Sequence, residues 1–557
     1  MKATGAEIIC SLLEREGVSI VAGIPGGANL PLYDALHRSA IRHVLARHEQ
    51  GAGLIAHGMA RTTGRPAVCL GTSGPGATNL VTAIADAKLD SIPLIAITGQ
   101  VPRALIGTDA FQEVDTYGMT LPITKHNFLV RRTADLLDVI PEAFRLAVSG
   151  RPGPVAIDVP KDVQAETVEF EAFPEPSRPD APPRFADADI ARAAELINNS
   201  RRPIFLFGGG VIVSSASAVL RRVADEASIP LASTLHGLGA IPHDHPLYLG
   251  MVGMHAARYT NMLLEECDLL VGLGIRFDDR ATGKAAEFCR HAAIVHIDID
   301  EGELGKIKQP ALGIQADVSE ALEAIAPLVK ASRRRDWIAR MAALRAEFPL
   351  AMPGADDPLR PYGIVRHTAA LVPDDAIVTT DVGQHQMWVA QAYPFTAPRR
   401  WLTSGGLGTM GFGLPAAIGA ALAMPDRTVV CFSGDGSLLM NLQELATAAE
   451  EGVNVKVILF NNGNLGLVRQ QQHLFYGRRY HGSKFHAVPD FVALARGFGV
   501  PACDLGATEY QLQTLENALA QPGPCLVNVP IAAHENVYPM VPPGGANREM
   551  IDEETAG

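Results

Sequence analysis

Cysteine is scarce in this chain of 557 residues. There are seven, at positions 10, 69, 267, 289, 431, 503 and 525. No two form a C-x-x-C pair and most sit in apolar runs. That excludes a cysteine metal cluster and leaves buried, reduced thiols as the expectation. Also missing is any apolar run of about 18 residues, so no membrane-spanning helix is expected. Near the N-terminus Ile8, Ile9, Leu12 and Leu13 fall at helical spacing, but Glu7 and Glu14 interrupt them. The uninterrupted apolar core of a secretory signal is therefore absent. Positive charge is in deficit, 47 Lys and Arg against 60 Asp and Glu, a net −13 at pH 7. Such a balance argues against non-specific nucleic-acid binding. A soluble, cytoplasmic protein with neither a nucleic-acid nor a membrane partner is expected.

What the chain does have is apolar residues enough for large cores, 47% of the total, in a length that suggests three or four domains. Two stretches have linker composition. One is Pro174 to Arg184, with prolines at 174, 176, 179, 182 and 183. The other is Pro349 to Pro361, with four prolines, a glycine and paired aspartates. Such segments stay extended and pack poorly, so they divide the chain into domains at 1–173, 185–348 and 361–557. Each part alternates short apolar strands with helical patterns, which predicts α/β doubly wound parallel sheets. A faint internal echo links residues 67–76, a strand running into Ser73-Gly74-Pro75-Gly76, with residues 429–436, a strand running into Gly434-Asp435-Gly436. Duplication and independent parallel-sheet turns explain it equally well.

The most informative stretch is Gly434-Asp435-Gly436, followed by Asn461-Asn462. Val429 to Phe432 reads as a buried strand, and Ser437 can cap a helix through Leu438, Leu442, Leu445 and Ala448 to about Gly452. Val455 to Phe460 is a second buried strand. The right-handed crossover of such a unit brings both strand ends to one edge of the sheet. Asp435 then supplies a charged oxygen, Asn462 a neutral one, and the helix start backbone N–H groups for an anion. A hard cation wants oxygen ligands and shares them with substrate phosphates. Each half alone is an ordinary turn; together they suggest a diphosphate held through a metal.

That constellation resembles the thiamin-diphosphate enzymes, whose fold has a thiamin pyrimidine-binding domain first and a diphosphate-binding domain last. The resemblance implies Mg2+ held by Asp435, the Asn462 side chain and the Asn464 carbonyl, with two diphosphate oxygens and a water completing six ligands. It gives Glu49, otherwise a helix-start glutamate favoured by the dipole, the task of pressing a carboxyl group against the aminopyrimidine. The cofactor carries the carbon chemistry and the protein sets its protonation. Gly383-Gln384-His385 resembles a diphosphate loop. Gly406 to Gly411 matches G-x-G-x-x-G, but no clear strand leads into it and no acid follows about 20 residues on, so a dinucleotide reading is set aside. The family instead places Met410 beneath the cofactor. Pro25, Gly26, Ser73, Asn79, Gly408, Gly434, Gly436, Ser437 and Leu467 are implied as further thiamin contacts.

Several motifs narrow the resemblance over essentially the whole chain. They are Ile24-Pro25-Gly26-Gly27, Arg47-His48-Glu49-Gln50-Gly51, Ser73 to Asn79, Gly107 to Glu113, Val159-Pro160-Lys161-Asp162-Val163, Arg276-Phe277-Asp278-Asp279-Arg280 and Gly405 to Gly413. In this order they are similar to the catalytic subunits of biosynthetic acetolactate synthases, most nearly the bacterial isozyme I type. This implies decarboxylation of pyruvate and ligation of the two-carbon unit to a second pyruvate or to 2-ketobutyrate, a step of valine and isoleucine biosynthesis. It implies Arg280 on the acceptor carboxylate, which suits a bidentate fork. Phe111 and Met254 would line the acceptor pocket, and Gln112 and Lys161 would lie near the reacting centre. The middle domain is implied to carry FAD as a structural, non-redox group on Gly208, Gly209, Gly210, Arg151, Thr234, Leu235, His255, Arg276, Asp298 and Asp317. Implied partners are a second copy, in a homodimer or tetramer with active sites between subunits, and a small regulatory subunit.

One position departs from the family. After the asparagine pair it has Gly-Met-Val-x-Gln-Trp-Gln, whereas this chain reads Gly466-Leu467-Val468-Arg469-Gln470-Gln471-Gln472. Gln471 replaces the Trp that favours 2-ketobutyrate. One methylene is worth about 1–3 kcal/mol in a good apolar pocket, so a weak preference is expected. Two rivals stand beside this reading. A related thiamin enzyme such as pyruvate oxidase would give acetate rather than acetolactate. A catalytically silent flavoprotein would have lost Glu49, Asp435 or Asn462, and all three are present.

Overall fold

The computed structural model describes residues 1–552. The segment opens with β1 (Lys2–Thr4), followed by β2 (Ile20–Gly23), β3 (Arg42–Leu45), β4 (Ala67–Gly71), β5 (Leu94–Gln100), β6 (His126–Leu129) and β7 (Val155–Pro160). Strands β2 to β7 form a parallel sheet in the order β3-β2-β4-β5-β7-β6. β8 (Thr167–Glu169) returns antiparallel to β1. A second parallel sheet follows, from β9 (Pro203–Phe207), β10 (Leu231–Ser233), β11 (Tyr248–Met251), β12 (Leu269–Leu273), β13 (Ala293–Asp298) and β14 (Leu312–Gln315), in the order β11-β10-β9-β12-β13-β14. The third holds β15 (Ile377–Thr380), β16 (Trp401–Leu402), β17 (Val429–Gly434), β18 (Val455–Asn461), β19 (Ala502–Asp504) and β20 (Cys525–Pro530), in the order β16-β15-β17-β18-β20-β19. The two proline-rich stretches hold neither helix nor strand until Pro361 opens a helix.

The first and third sheets share one topology, and the middle one has the order of a dinucleotide-binding sheet. The echo noted in the sequence falls on β4 and β17, the same place in both. In open parallel sheets ligands bind past the carboxyl ends of the strands, where the strand order reverses. Those points lie between β2 and β4, between β9 and β12, and between β15 and β17. The residues of β4, β5, β9, β12 and β17 are all buried, as strands covered on both faces must be. Six of the seven cysteines are buried and none is bridged. Among the described residues no helix is long and apolar enough to cross a membrane.

One helix joins the first sheet to the third. It spans Glu49–Thr63, is capped by His48 Nδ1 accepting from Gln50 N (3.1 Å), and ends at Gly64 in the left-handed region (φ 73°). Its small residues let it lie directly against helix Gly413–Ala423. A Cβ on Gly58 would sit 2.2 Å from the Ala416 carbonyl oxygen, and one on Gly419 1.9 Å from that of Ile55. Neither oxygen can retreat without moving its helix. Gly419→Ala is therefore expected to destabilise the fold by about 1–3 kcal/mol through overpacking, read from the denaturant midpoint. An unchanged midpoint would mean the two helices are free to separate.

The helix expected from Ser437 to Gly452 is two pieces, Asp435–Leu438 and Glu444–Glu451. Ser437 is not its cap. Its hydroxyl donates to the Val382 carbonyl (2.9 Å), and Asn441 Nδ2 donates to the Gly411 carbonyl (2.8 Å). These side chains serve neighbouring loops, and the intervening turn sets their direction.

Candidate active site

At the switch point of the third sheet a cavity opens between three helix starts. Gly383, Gln384 and His385 begin helix Gln384–Ala392, Asp435, Gly436 and Ser437 begin the short helix after β17, and Gly466, Leu467 and Val468 begin helix Gly466–Phe475. The first N–H groups of a helix have no partner within it, so three such starts make a strong anion site. Asp435 is the one carboxylate among the lining residues. It accepts from Gly436 N (2.8 Å) and Gly463 N (2.6 Å), and burial raises it to about 6. Asn462 and Asn464 line the same cavity, the Asn462 side-chain oxygen accepting from Asn464 N at 2.9 Å. This collection of hard oxygens, with a buried charge in want of a cation, fits Mg2+. His385, whose Nε2 has no partner, is held neutral by burial, down to about 3. Met410 lines the same cavity; Gly408 does not reach it, and its Cβ position is 3.9 Å from Val382.

The first sheet gathers a second set of residues at its own switch point. Pro25 and Gly26 follow β2, Ser73 follows β4, and Glu49 opens the helix after β3. A Cβ on Gly26 would strike Thr72, so the two loops touch. Glu49 is 9% exposed, and Asn79 Nδ2 donates to its Oε2 at 2.9 Å. Gln112 packs against Gly74. Lys161 starts the turn of helix after β7. Phe111 is 88% exposed. None of these residues lines the cavity at Asp435.

The middle sheet holds a larger cavity, about 340 Å³, at the ends of β9 and β12. Gly209, Gly210, Arg151, Thr234, Arg276, Asp298 and Asp317 line it. Gly210 and Gly274 face each other so closely that a Cβ on either would lie 2.6 Å from the other's Cα. Gly208 stands just behind, where a Cβ would meet the Gly274 carbonyl at 2.5 Å. Arg151 pairs with Asp300 (3.1 Å) and Glu303 (2.6 Å), and burial raises the Asp298 carboxyl to about 7. Leu235 and His255 are not on this wall. His255 borders a different cavity, its Nδ1 bonded to the Pro539 carbonyl (3.1 Å), and Leu235 accepts from the Trp401 indole N–H (3.0 Å). Arg280 and Met254 do come together. The Met254 N–H donates to the Arg280 carbonyl at 2.9 Å, and the guanidinium reaches the Met254 sulfur at 3.7 Å. Gln471 lies within helix Gly466–Phe475, beyond the lining residues Gly466 to Val468.

Comparison with known proteins places the chain in a family. Residues 3–119, 190–325 and 381–529 match the N-terminal TPP binding, central and C-terminal TPP binding domains of thiamine pyrophosphate enzymes. The acetolactate synthase isozyme 1 large subunit of Escherichia coli K12 is 59% identical over 99% of this chain and 98% of its own length. The acetolactate synthase large subunit of Parasynechococcus marenigrum is 46% identical over 98% of this chain and 91% of that protein. The E. coli isozyme 2 large subunit is 45% identical over 99% of both.

The chain belongs to the acetolactate synthase family. It is a thiamin-diphosphate-dependent enzyme of the large-subunit type, and the relatives do not favour a pyruvate oxidase. The cavity with the three helix starts lies within the segment that matches the C-terminal TPP binding domain. Several lining residues were not anticipated from sequence: Val382, Trp388, Phe460, Leu465, Gly466 and Val468. Gly466 carried a usable signal, since it opens the helix just after the asparagine pair. Trp388 carried none, because an apolar residue one turn into a helix reads as core.

Proposed function

We propose that this acetolactate synthase decarboxylates pyruvate and joins the two-carbon product to a second pyruvate or to 2-ketobutyrate, with Mg2+ and a structural FAD. The observation that carries the reading is the convergence of three helix starts and one buried carboxylate on a single cavity. When bound there, thiamin diphosphate supplies the electron sink that loss of CO2 requires. Asp435, Asn462 and the Asn464 carbonyl would hold the cation, and the helix starts at Gln384, Asp435 and Gly466 would take the remaining phosphate charge. Glu49 has Oε2 occupied by Asn79, which leaves Oε1 to exchange a proton with the pyrimidine ring. Because Glu49 lies outside the Asp435 cavity, a second copy of the chain supplies it, and the exposed Phe111 is covered in the same assembly. Arg280, with Met254 beside it, holds the acceptor carboxylate, while Gln112 and Lys161 stand at the rim. The glycine-rich cavity of the middle sheet suits the pyrophosphate and ribose of FAD. A small regulatory subunit completes the enzyme.

Product analysis tests this. Purified enzyme given pyruvate, thiamin diphosphate and Mg2+ is expected to form acetolactate; acetate or acetaldehyde as the main product would overturn the reading. Substrate choice gives a second measurement. With equimolar pyruvate and 2-ketobutyrate the enzyme is expected to give comparable yields of the two products. Gln471→Trp is expected to raise the bias to 2-ketobutyrate by roughly tenfold or more, the worth of about one well-packed methylene. An overwhelming bias in the unaltered enzyme would sink this assignment of Gln471.

A further inference from the structure

We infer that two carboxylates on helix Pro75–Asp90 clamp the segment that carries Met410, and that Thr409 is the residue through which the clamp positions Met410. Residues 403–410 contain neither helix nor strand. Their backbone groups cannot satisfy one another, so outside partners dictate their path. Asp86 and Asp90 lie four residues apart and share a face of their helix. Asp86 Oδ2 accepts from Ser404 Oγ (2.5 Å) and from the Thr409 hydroxyl, and Ser404 Oγ in turn accepts from Thr409 N (2.8 Å). Asp90 accepts from Gly406 N (2.8 Å) and Gly405 N (3.3 Å). Met410 then follows directly and faces the thiamin cavity.

The clamp is itself braced. The Asp86 and Asp90 side chains are fully buried. Arg61 donates to Asp90 (3.1 Å) and to the Thr403 carbonyl (2.7 Å). Arg61 also donates to His236 Nδ1, since a guanidinium can only donate; His236 therefore carries its proton on Nε2 and gives it to Asp90 at 2.9 Å. Burial alone would raise the Asp90 carboxyl, but His236 and Arg61 outweigh it and hold Asp90 well below the usual carboxylate range. Behind Asp86 stands His57, fully buried, with Nε2 3.3 Å from Asp86 Oδ1 and its ring edge-on to Phe412 at 5.0 Å. The ligand atoms of His57, Asp86 and Asp90 lie within 4.8 Å of one another. Arg61, His236 and two backbone N–H groups already occupy Asp90, so the cluster reads as a positioning device for the segment rather than as a cation site.

The inference rests on the reading of Met410 as the residue beneath the cofactor, and the test separates the two. Thiamin diphosphate is titrated into the Mg2+-saturated apoenzyme, reading the fluorescence of Trp388, which lines the cavity, and the near-ultraviolet circular dichroism of the bound ring. Thr409→Val keeps the shape and removes the hydroxyl. It is expected to weaken binding about tenfold and change the dichroic signature, with the apoenzyme's thermal midpoint lowered by only a few degrees through the lost hydrogen bond. Thr409→Ser restores the hydroxyl and is expected to bind as wild type. Adding Asp86→Asn to Thr409→Val is expected to cost less than the sum of the two single losses, the remainder being what Asp86 contributes through Ser404. A Thr409→Val enzyme with wild-type binding and dichroism overturns the clamp, as does a fully additive loss in the double variant. Met410→Ala binding as wild type overturns the role of Met410 itself, whatever the Thr409 variants do.

Discussion

Glu49→Gln is expected to lower the rate of acetolactate formation by about 10²- to 10⁴-fold, the usual worth of a positioned proton-transfer group. The substitution keeps the shape of the side chain and an oxygen for the Asn79 amide, now 2.9 Å from Oε2. What it removes is the ability to hold and release a proton. Glu49 also sits at the first position of its helix, where a negative charge contributes about 0.3–1 kcal/mol. The loss of stability should therefore be slight. Initial rates with pyruvate, together with the thermal midpoint, distinguish a chemical role from a structural one. A rate within tenfold of wild type would remove Glu49 from the mechanism.

Asp435→Asn should act on binding rather than on the chemical step. Asp435 is the single carboxylate in a cavity whose other polar side chains are amides, the His385 imidazole and the Ser437 hydroxyl. Asparagine can still accept from Gly436 or Gly463, so the turn survives, but the charge that draws the cation is gone. Supporting partners around a metal are worth roughly 10–100-fold in affinity, and the charged ligand itself should be worth at least about 100-fold. The expected result is that Mg2+ no longer strengthens thiamin diphosphate binding. The sign for stability is opposite to that of a usual core substitution. Without a cation, burial already raises the Asp435 carboxyl to about 6, so the charge is a burden on the empty fold. The variant apoenzyme should melt no lower than wild type, while the stabilisation conferred by cofactor and Mg2+ disappears. Retained Mg2+-dependent binding would place the cation elsewhere.

Much of this site was legible from short-range pattern. Val429 to Phe432 and Val455 to Phe460 read as buried strands and are β17 and β18. Asp435 and Asn462, just past their ends, line one cavity, because parallel strands joined by a right-handed crossover must present their carboxyl ends together. The glycine triplet after β9 reads equally well, since at Gly208 and Gly210 only residues without a Cβ tolerate the approach of Gly274. Legibility stopped where partners are distant in sequence. The helix after Asp435 breaks because Ser437 and Asn441 bond to carbonyls 55 and 30 residues away. The family resemblance implies His255 at the middle cavity, yet its Nδ1 bonds to the Pro539 carbonyl, 284 residues on.

The sequence by itself determined the strand ends, the glycine turns and the oxygen donors, because these depend on residues within a few positions of each other. Tertiary structure alone decided that three helix starts share one cavity, that Glu49 lies outside it, and that Asp86 and Asp90 hold the segment leading to Met410 more than 300 residues away. Such contacts are fixed by how whole sheets and helices pack, here through glycine faces that bring two helix backbones together, and no local spacing encodes them.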